Sequence, residues 1–452
     1  MTKSLKNLWD RFLFQGRGIL PSRRLISIFI ILSLVLLVLS FGNLSWWAFI
    51  FMNVVLFLVS LVDLFFSPKK KDLHFKRHIP DEMERNLSYK VQIDVTNMST
   101  YSLSFTLIDG IPQSFQSTFP MNGRVDQLIT STLEYETKAS VRGEYEITML
   151  YFRYSSKLGL WKKQMTIDLT NKIKVIPDLT ETKQFLENAQ KYLLFEGNKI
   201  RRHQTGIGDF SQIRNYVVGD DPRKINWRQT AKLRQVMTNE YEPEHGKYIT
   251  ILIDCGRMMG AELSKGNRLE KALEAAHLVA AAALQNGDYV SVLAFAKDVK
   301  VFVPPAKGMA HLQTILHSIY NVTVDSAESN YAAVFSFLEA MQKKRSLLLL
   351  FSDIRTFLYE EHALLYLERL RQRHLFLMVG IEDVTLQMRT EEKPESVQQA
   401  MIKSIAQQQM LFKKKEKIKW ERQGLVMIEA KEEHLATAAV SHYIDIMNRN
   451  LL

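Results

Sequence analysis

Tyr248-Ile249-Thr250-Ile251-Leu252-Ile253-Asp254-Cys255-Gly256-Arg257-Met258 runs almost wholly apolar into an acid and then turns at a glycine. A half-buried strand would alternate apolar and polar residues. A short continuous run such as this reads instead as a strand covered on both faces. Working outward, 269–284 is an alanine-rich helix, 289–295 a second strand and 299–303 its hairpin partner. Helices over 310–320 and 331–342 lead to a strand at 346–351, and a helix over 360–373 to a strand at 375–379. This alternation predicts an α/β domain over 248–452, a doubly wound, mostly parallel sheet with helices on both faces. Near the end, 393–422 reads as a polar helix bearing Lys413-Lys414-Lys415-Glu416-Lys417, a solvated face or an electrostatic contact with anionic lipid or a partner. A strand at 425–428 and a helix over 435–447 complete the sheet.

Two of these strands end in a carboxylate, Asp254 and Asp353. In an open parallel sheet, ligands gather outside the carboxyl ends of the strands, so both acids are candidate site residues. The plainer roles for them are helix N-caps or ion pairs with Arg257 and Arg355. A metal-dependent hydrolase built on the two acids is the alternative function. It lacks a placed nucleophile or base, because His203, His245 and His277 show no ligand spacing.

Upstream, 178–247 forms a distinctive block. Gly219-Asp220-Asp221-Pro222 is a turn, since aspartate and proline both favour one. Arg214, Arg223 and Arg228 can pair with Asp209, Asp220 and Asp221, and Trp227 is a large anchor. Gly206 and Gly208 do not make a phosphate loop, having neither the preceding strand nor the third glycine. Acids interleaved with the bases argue against nucleic acid. Over 73–177, Tyr89, Val91, Ile93 and Val95 alternate with polar residues, and Leu103, Phe105 and Leu107 repeat the pattern. A small β-sandwich is expected there.

The first part of the chain is of another kind. Residues 25–41 and 46–66 are two apolar runs, each near the length needed to cross hydrocarbon, with only Gly42 to Ser45 between them. They predict a transmembrane helical hairpin over 25–66. A cleaved signal peptide would need a small-x-small site after the first run, which is missing. The chain's net charge is +11, and residues 1–24 and 67–78 supply +5 and +4 of it. Bases on both outer flanks and none in the short loop place both termini and the soluble domains in the cytoplasm of a multi-pass cell-membrane protein. An extracytoplasmic adhesion module would require the inverse topology. Asp63 is either an intramembrane carboxylate or a helix-end residue reaching the interface. The single cysteine, Cys255, excludes an internal disulfide.

The region after Tyr248 resembles the von Willebrand factor A fold, whose metal-ion-dependent adhesion site reads Asp-x-Ser-x-Ser, then Thr, then Asp. By that resemblance Asp254, Ser329 and Asp353 are the metal residues, while Gly256 and Met258 replace the two serines. Magnesium requires hard oxygen ligands, which glycine and a thioether do not offer, so the implied site is degenerate. Gly219-Asp220-Asp221-x-Arg223-x-Ile225-x-Trp227 is similar to the signature of the bacterial domain-of-unknown-function-58 family. Arg142-Gly143-Glu144-Tyr145, Leu158-Gly159-Leu160 and Val175-Ile176-Pro177 resemble its upstream β-region. The resemblance implies a non-catalytic, membrane-tethered adaptor working with a MoxR-type AAA+ ATPase. Arg214, Gly219, Asp220, Asp221, Arg223 and Trp227 would then form a second contact surface or brace the first. No cofactor is implied beyond a weakly held magnesium ion.

Overall fold

A computed structural model describes residues 18–40, 46–65, 67–156, 158–196, 209–242, 246–449 and 451–452. Most of the basic N-terminus, the short connection 41–45, Gly206, Gly208, His203 and His245 lie outside the described residues. The protein is a mixed α/β chain dividing into two compact units, Met1–Ile176 and Pro177–Leu452.

The first unit begins with β1 (Ile19–Pro21), α1 (Arg23–Ser40) and α2 (Trp46–Phe65). Among the described residues one helix, in the segment Phe49–Asp72, is long and apolar enough to cross a membrane. Ser33 Oγ donates to Asn53 Oδ1 at 3.2 Å, pairing the few polar groups of α1 and α2. There follow β2 (Leu73–His78), β3 (Glu82–Glu84), β4 (Ser88–Asn97), β5 (Leu103–Asp109) and β6 (Phe115–Gln116). After them come β7 (Met121–Val125), β8 (Thr130–Ala139), β9 (Gly143–Ser155) and β10 (Trp161–Ile176). One sheet runs β1-β10-β9-β5-β7 with β3 beside β10, and the other β2-β4-β8-β6. Val91, Ile93 and Val95 from the second sheet meet Phe105, Leu107, Leu150 and Phe152 from the first in one core, as the period-2 pattern requires.

Two charges of this unit differ from the sequence reading. Arg77 was counted among the membrane-flanking bases, yet it is 5% exposed and ion-paired with Asp109, which also accepts from Tyr135. Asp63 does not face lipid. It is buried and accepts from Ser156 Oγ and from the amides of Leu158 (2.9 Å) and Leu160 (3.2 Å). Trp161 Nε1 donates to Ser60 O at 2.8 Å, so the end of α2 and the 158–160 turn are stitched together.

The second unit opens with α3 (Thr180–Glu196), then β11 (Asp209–Asn215), α4 (Trp227–Leu233) and β12 (Met237–Glu242). The main sheet is formed by β13 (Tyr248–Asp254), β16 (Tyr289–Phe295), β17 (Val299–Ala306), β18 (Ser346–Phe351), β19 (Leu375–Ile381) and β20 (Val426–Ala430). A small hairpin, β14 (Glu262–Leu263) with β15 (Gly266–Asn267), lies before α5 (Arg268–Gln285). The remaining helices are α6 (Met309–Ile319), α7 (Tyr331–Met341), α8 (Ile354–Tyr359), α9 (Glu361–Arg373), α10 (Val384–Glu391), α11 (Val397–Arg422) and α12 (Leu435–Asn448).

The order is β17-β16-β13-β18-β19-β20. Pairing is parallel from β16 through β20 and antiparallel at the β17 edge. Ile249, Ile251 and Ile253 face a core built with α5, α6 and α12, while Leu252 faces another built with α7, α8 and α9. Each such side chain contributes about 1.5–3 kcal/mol on burial, which explains why the central strand is apolar on both sides. The polar helix expected over 393–422 forms as α11, starting after Pro394, and a separate short helix, α10, precedes it. The block 178–247 is not a plain linker: it contributes α3 and the β11–β12 hairpin.

Candidate functional site

The three acid and hydroxyl positions expected at the strand ends do come together, but they divide into two networks. Asp254 ends β13 and is 2% exposed. Its Oδ1 accepts from the Gly256 amide at 2.8 Å and from Ser329 Oγ. Its Oδ2 accepts from Tyr331 Oη at 2.9 Å and Ser352 Oγ at 2.5 Å. Tyr331 Oη and Ser352 Oγ are themselves 2.8 Å apart. Burial pushes the Asp254 carboxyl above the usual carboxylate range, with the donors from Ser329, Ser352, Gly256 and Tyr331 opposing it. Tyr331, packed edge-on against Phe295 and Phe357, is held well above the ordinary tyrosine value by burial and then by Asp254.

Asp353 belongs to the second network. It is the N-cap of α8, accepting from Thr356 N at 3.1 Å and Thr356 Oγ1 at 2.7 Å. Its other oxygen is ion-paired with Arg268 at the start of α5, and both side chains are buried. Arg268 also reaches Asp383 at 3.7 Å, which in turn lies 3.8 Å from Arg355. The expected partners were Arg257 and Arg355. Arg257 instead pairs with Glu328 at 2.9 Å, and Arg268, 85 residues before Asp353, takes the acid.

The donor set does not fit a divalent cation. Magnesium wants an open octahedron of oxygens. Here Asp254 accepts four hydrogen bonds and Asp353 carries a guanidinium and a cap. A Cβ at Gly256, where the adhesion motif has serine, would lie 2.0 Å from Ser329 Oγ. The glycine is what lets that hydroxyl reach Asp254. Among the described residues no group of three or more His, Cys, Asp or Glu side chains is placed to hold a metal ion. Sequence reading missed Arg268, Tyr331 and Ser352. Ser352 stands directly before Asp353, and an inward hydroxyl at a strand end was the available signal.

The signature residues form a separate knuckle on the β11–β12 hairpin. Arg214 grips Asp220 with two bonds of 2.8 Å and approaches Glu240 at 3.5 Å. The salt bridge holds the Asp220 carboxyl below its ordinary value and raises Arg214. Gly219 adopts φ +112°, a conformation other residues take only with strain, although open space surrounds it. Asp221 caps the turn at Pro222–Lys224 by accepting from Arg223 N. Asn226 caps α4, and its amide donates to Met237 O at 2.9 Å. Trp227 is no internal anchor: it is 70% exposed.

The fold and these sites define a mixed α/β protein with strand-end acids wired to internal donors. Residues 212–409 match the model of the family described as "Protein of unknown function DUF58", which supports membership of that family. An "Uncharacterized protein YeaD" of Bacillus subtilis (strain 168) is 24% identical over 204 residues, 44% of this chain and 48% of the relative. The chain thus matches about half the length of that curated relative. Among solved structures, the conserved hypothetical protein BatB from Bacteroides thetaiotaomicron is 15% identical, with a TM-score of 0.31 over 45% of this chain and 100% of its own. WR4, a C. elegans MSP family member, gives 14% and 0.16 over 23% of this chain and 97% of its own. Likenesses at this level carry no functional argument.

Proposed function

We propose that the protein is a membrane-anchored adaptor whose region 248–452 is a von Willebrand A-type interaction domain for a MoxR-type AAA+ ATPase. In this reading α1 and α2 cross the bilayer as a hairpin, with both termini and both soluble regions in the cytoplasm. The apolar side chains of both helices support the anchor: Ile31 is 63% exposed, Leu34 60% and Phe51 67%, a surface that lipid covers and water disfavours.

The observation that carries the interaction role is the internal satisfaction of Asp254 and Asp353. A catalytic or metal-loading centre keeps an open coordination or proton-transfer position. These acids instead spend their oxygens on Gly256, Ser329, Tyr331, Ser352, Thr356 and Arg268. Such wiring fixes the loops at the strand ends as a rigid platform. The test is co-purification of the intact chain, in detergent, with the MoxR-type ATPase of the same organism, with and without nucleotide. Enrichment over an unrelated membrane protein supports the reading, and its absence in both nucleotide states overturns it.

A further inference from the structure

We infer that the knuckle between β11 and β12 is a docking surface for an acidic protein segment that also presents aliphatic side chains. This rests on the adaptor reading and names the chemistry of what is adapted. The segment from Pro222 to Val236 contains Arg223, Lys224, Arg228, Lys232 and Arg234 and no acid. Of the two acids just before it, Asp220 is ion-paired with Arg214, while Asp221 caps the turn through the Arg223 amide and keeps its charge, one against five bases. The positive field is therefore not cancelled within the segment.

The knuckle is also built inside out. Its polar groups face one another: Asn226 Nδ2 donates to Asn239 Oδ1 at 2.8 Å, and the Met237 amide donates to Thr230 Oγ1 at 3.0 Å. The Tyr216 amide donates to Val236 O at 2.8 Å, and Ile225 bridges to Thr238. Met237 is buried, but five other apolar side chains face water. Val218 is 96% exposed, Trp227 70%, Val217 60%, Leu233 53% and Val236 44%. Intramolecular stability gains nothing from such a display, whereas an interface core is made of these residue types ringed by charge. A tryptophan beside arginines is the composition from which binding hot spots are drawn.

Acidic protein is favoured over nucleic acid by the aliphatic majority. Single strands are held by stacking on several aromatic faces. Here the exposed apolar residues of the hairpin are one tryptophan, Trp227, and four aliphatics, Val217, Val218, Leu233 and Val236, which pack against other aliphatic groups and do not stack on bases.

The experiment uses the full chain in zwitterionic detergent. Its probes are a labelled peptide of repeated Glu-Glu-Leu, its Glu-Glu-Ser counterpart, an oligothymidylate, and vesicles with or without phosphatidylserine. The Glu-Glu-Leu peptide is expected to bind best. Trp227→Ser, and separately Arg228→Glu with Lys232→Glu, should each weaken it about tenfold or more. Those side chains are exposed, so folding is retained, and circular dichroism checks it. Peptide binding indifferent to both variants overturns the inference, as does preference for the oligothymidylate or for anionic vesicles. The same variants are then tested against the ATPase. Wild-type ATPase binding that survives both variants sinks this surface and leaves the adaptor role standing. No ATPase binding, with variant-sensitive peptide binding, sinks the ATPase and leaves the surface.

Discussion

Replacing Arg268 by methionine keeps most of the stem's packing and removes only the guanidinium from a buried pair. Both side chains are nearly inaccessible, at 8% and 7%, so solvent screening does little to soften the loss. Breaking a buried ion pair by deleting one partner costs about 3–5 kcal/mol, because the surviving charge is stranded. Asp353 keeps its two bonds to Thr356, which places the expected cost at the lower end, about 3 kcal/mol. The companion variant, Arg268→Met with Asp353→Ser, removes both charges while serine still caps α8. It should return to within about 1 kcal/mol of wild type. Hydrogen exchange of the β13 and β18 amides in the full detergent-solubilised chain reads the stability of this unit directly. Arg268→Met should speed exchange roughly a hundredfold, and the double variant should largely restore it. A single variant costing under about 1 kcal/mol, or a double variant worse than the single, would show that the pair does not hold the strand ends together.

Four further outcomes follow from the geometry. His277 is buried beside Thr182, and burial lowers its pKa to about 4 from an ordinary 6.5. The unfolded chain therefore takes up the proton first: stability falls as pH drops from about 6.5 towards 4, by on the order of 3 kcal/mol from this residue, and His277→Leu should flatten that part of the wild-type profile. Gly256→Ser restores the motif residue but drives Cβ into Ser329 Oγ. It should cost about 1–3 kcal/mol in thermal melts and be relieved by Ser329→Gly. Asp63→Ala should accelerate hydrogen exchange of the Leu158 and Leu160 amides about tenfold or more by removing their acceptor. Added magnesium, manganese or EDTA should leave the melting temperature of the wild-type chain unchanged, and a rise with metal would reopen the strand-end acids as ligands.

The main sheet was legible because covered strands write themselves as short apolar runs. Ile249 to Ile253 and 346–351 fell where expected, and the hairpin partner of β16 was readable from its spacing. The site was legible only in part. Asp254, Ser329 and Asp353 were named from strand ends and a motif, yet the side chains completing each network were not. Arg268 lies 85 residues from Asp353, and periodicity within one helix says nothing about which distant acid its first residue meets. Proximity in sequence made Arg257 and Arg355 the obvious choices, and both were wrong as partners. Arg77 failed for a related reason. A base near the end of a strand looks like a flanking charge, until Asp109 of the other sheet appears opposite it, itself accepting from Tyr135. Trp227 was named only as a large anchor, and its 70% exposure could not be read from the sequence.

The strand ends and the knuckle solve the same problem in opposite ways. In both, most polar side chains are turned towards one another, although Arg268 Nε at the strand ends is buried without a hydrogen-bond partner. At the strand ends this leaves little for a partner to use: Asp254 and Asp353 are 2% and 7% exposed and their oxygens are taken. At the knuckle Met237 is buried, while Trp227, Val217, Val218, Leu233 and Val236 are exposed. Folding alone would favour the reverse arrangement, with Trp227 inside and Asn226 in water. A structure that orders its backbone with internal polar bonds and leaves tryptophan and valine in solvent is pre-organised for association, since the entropy of ordering is lost on folding and not again on binding. In the proposed reading the strand ends act as support, and the surface around Trp227 is where a partner would be recognised.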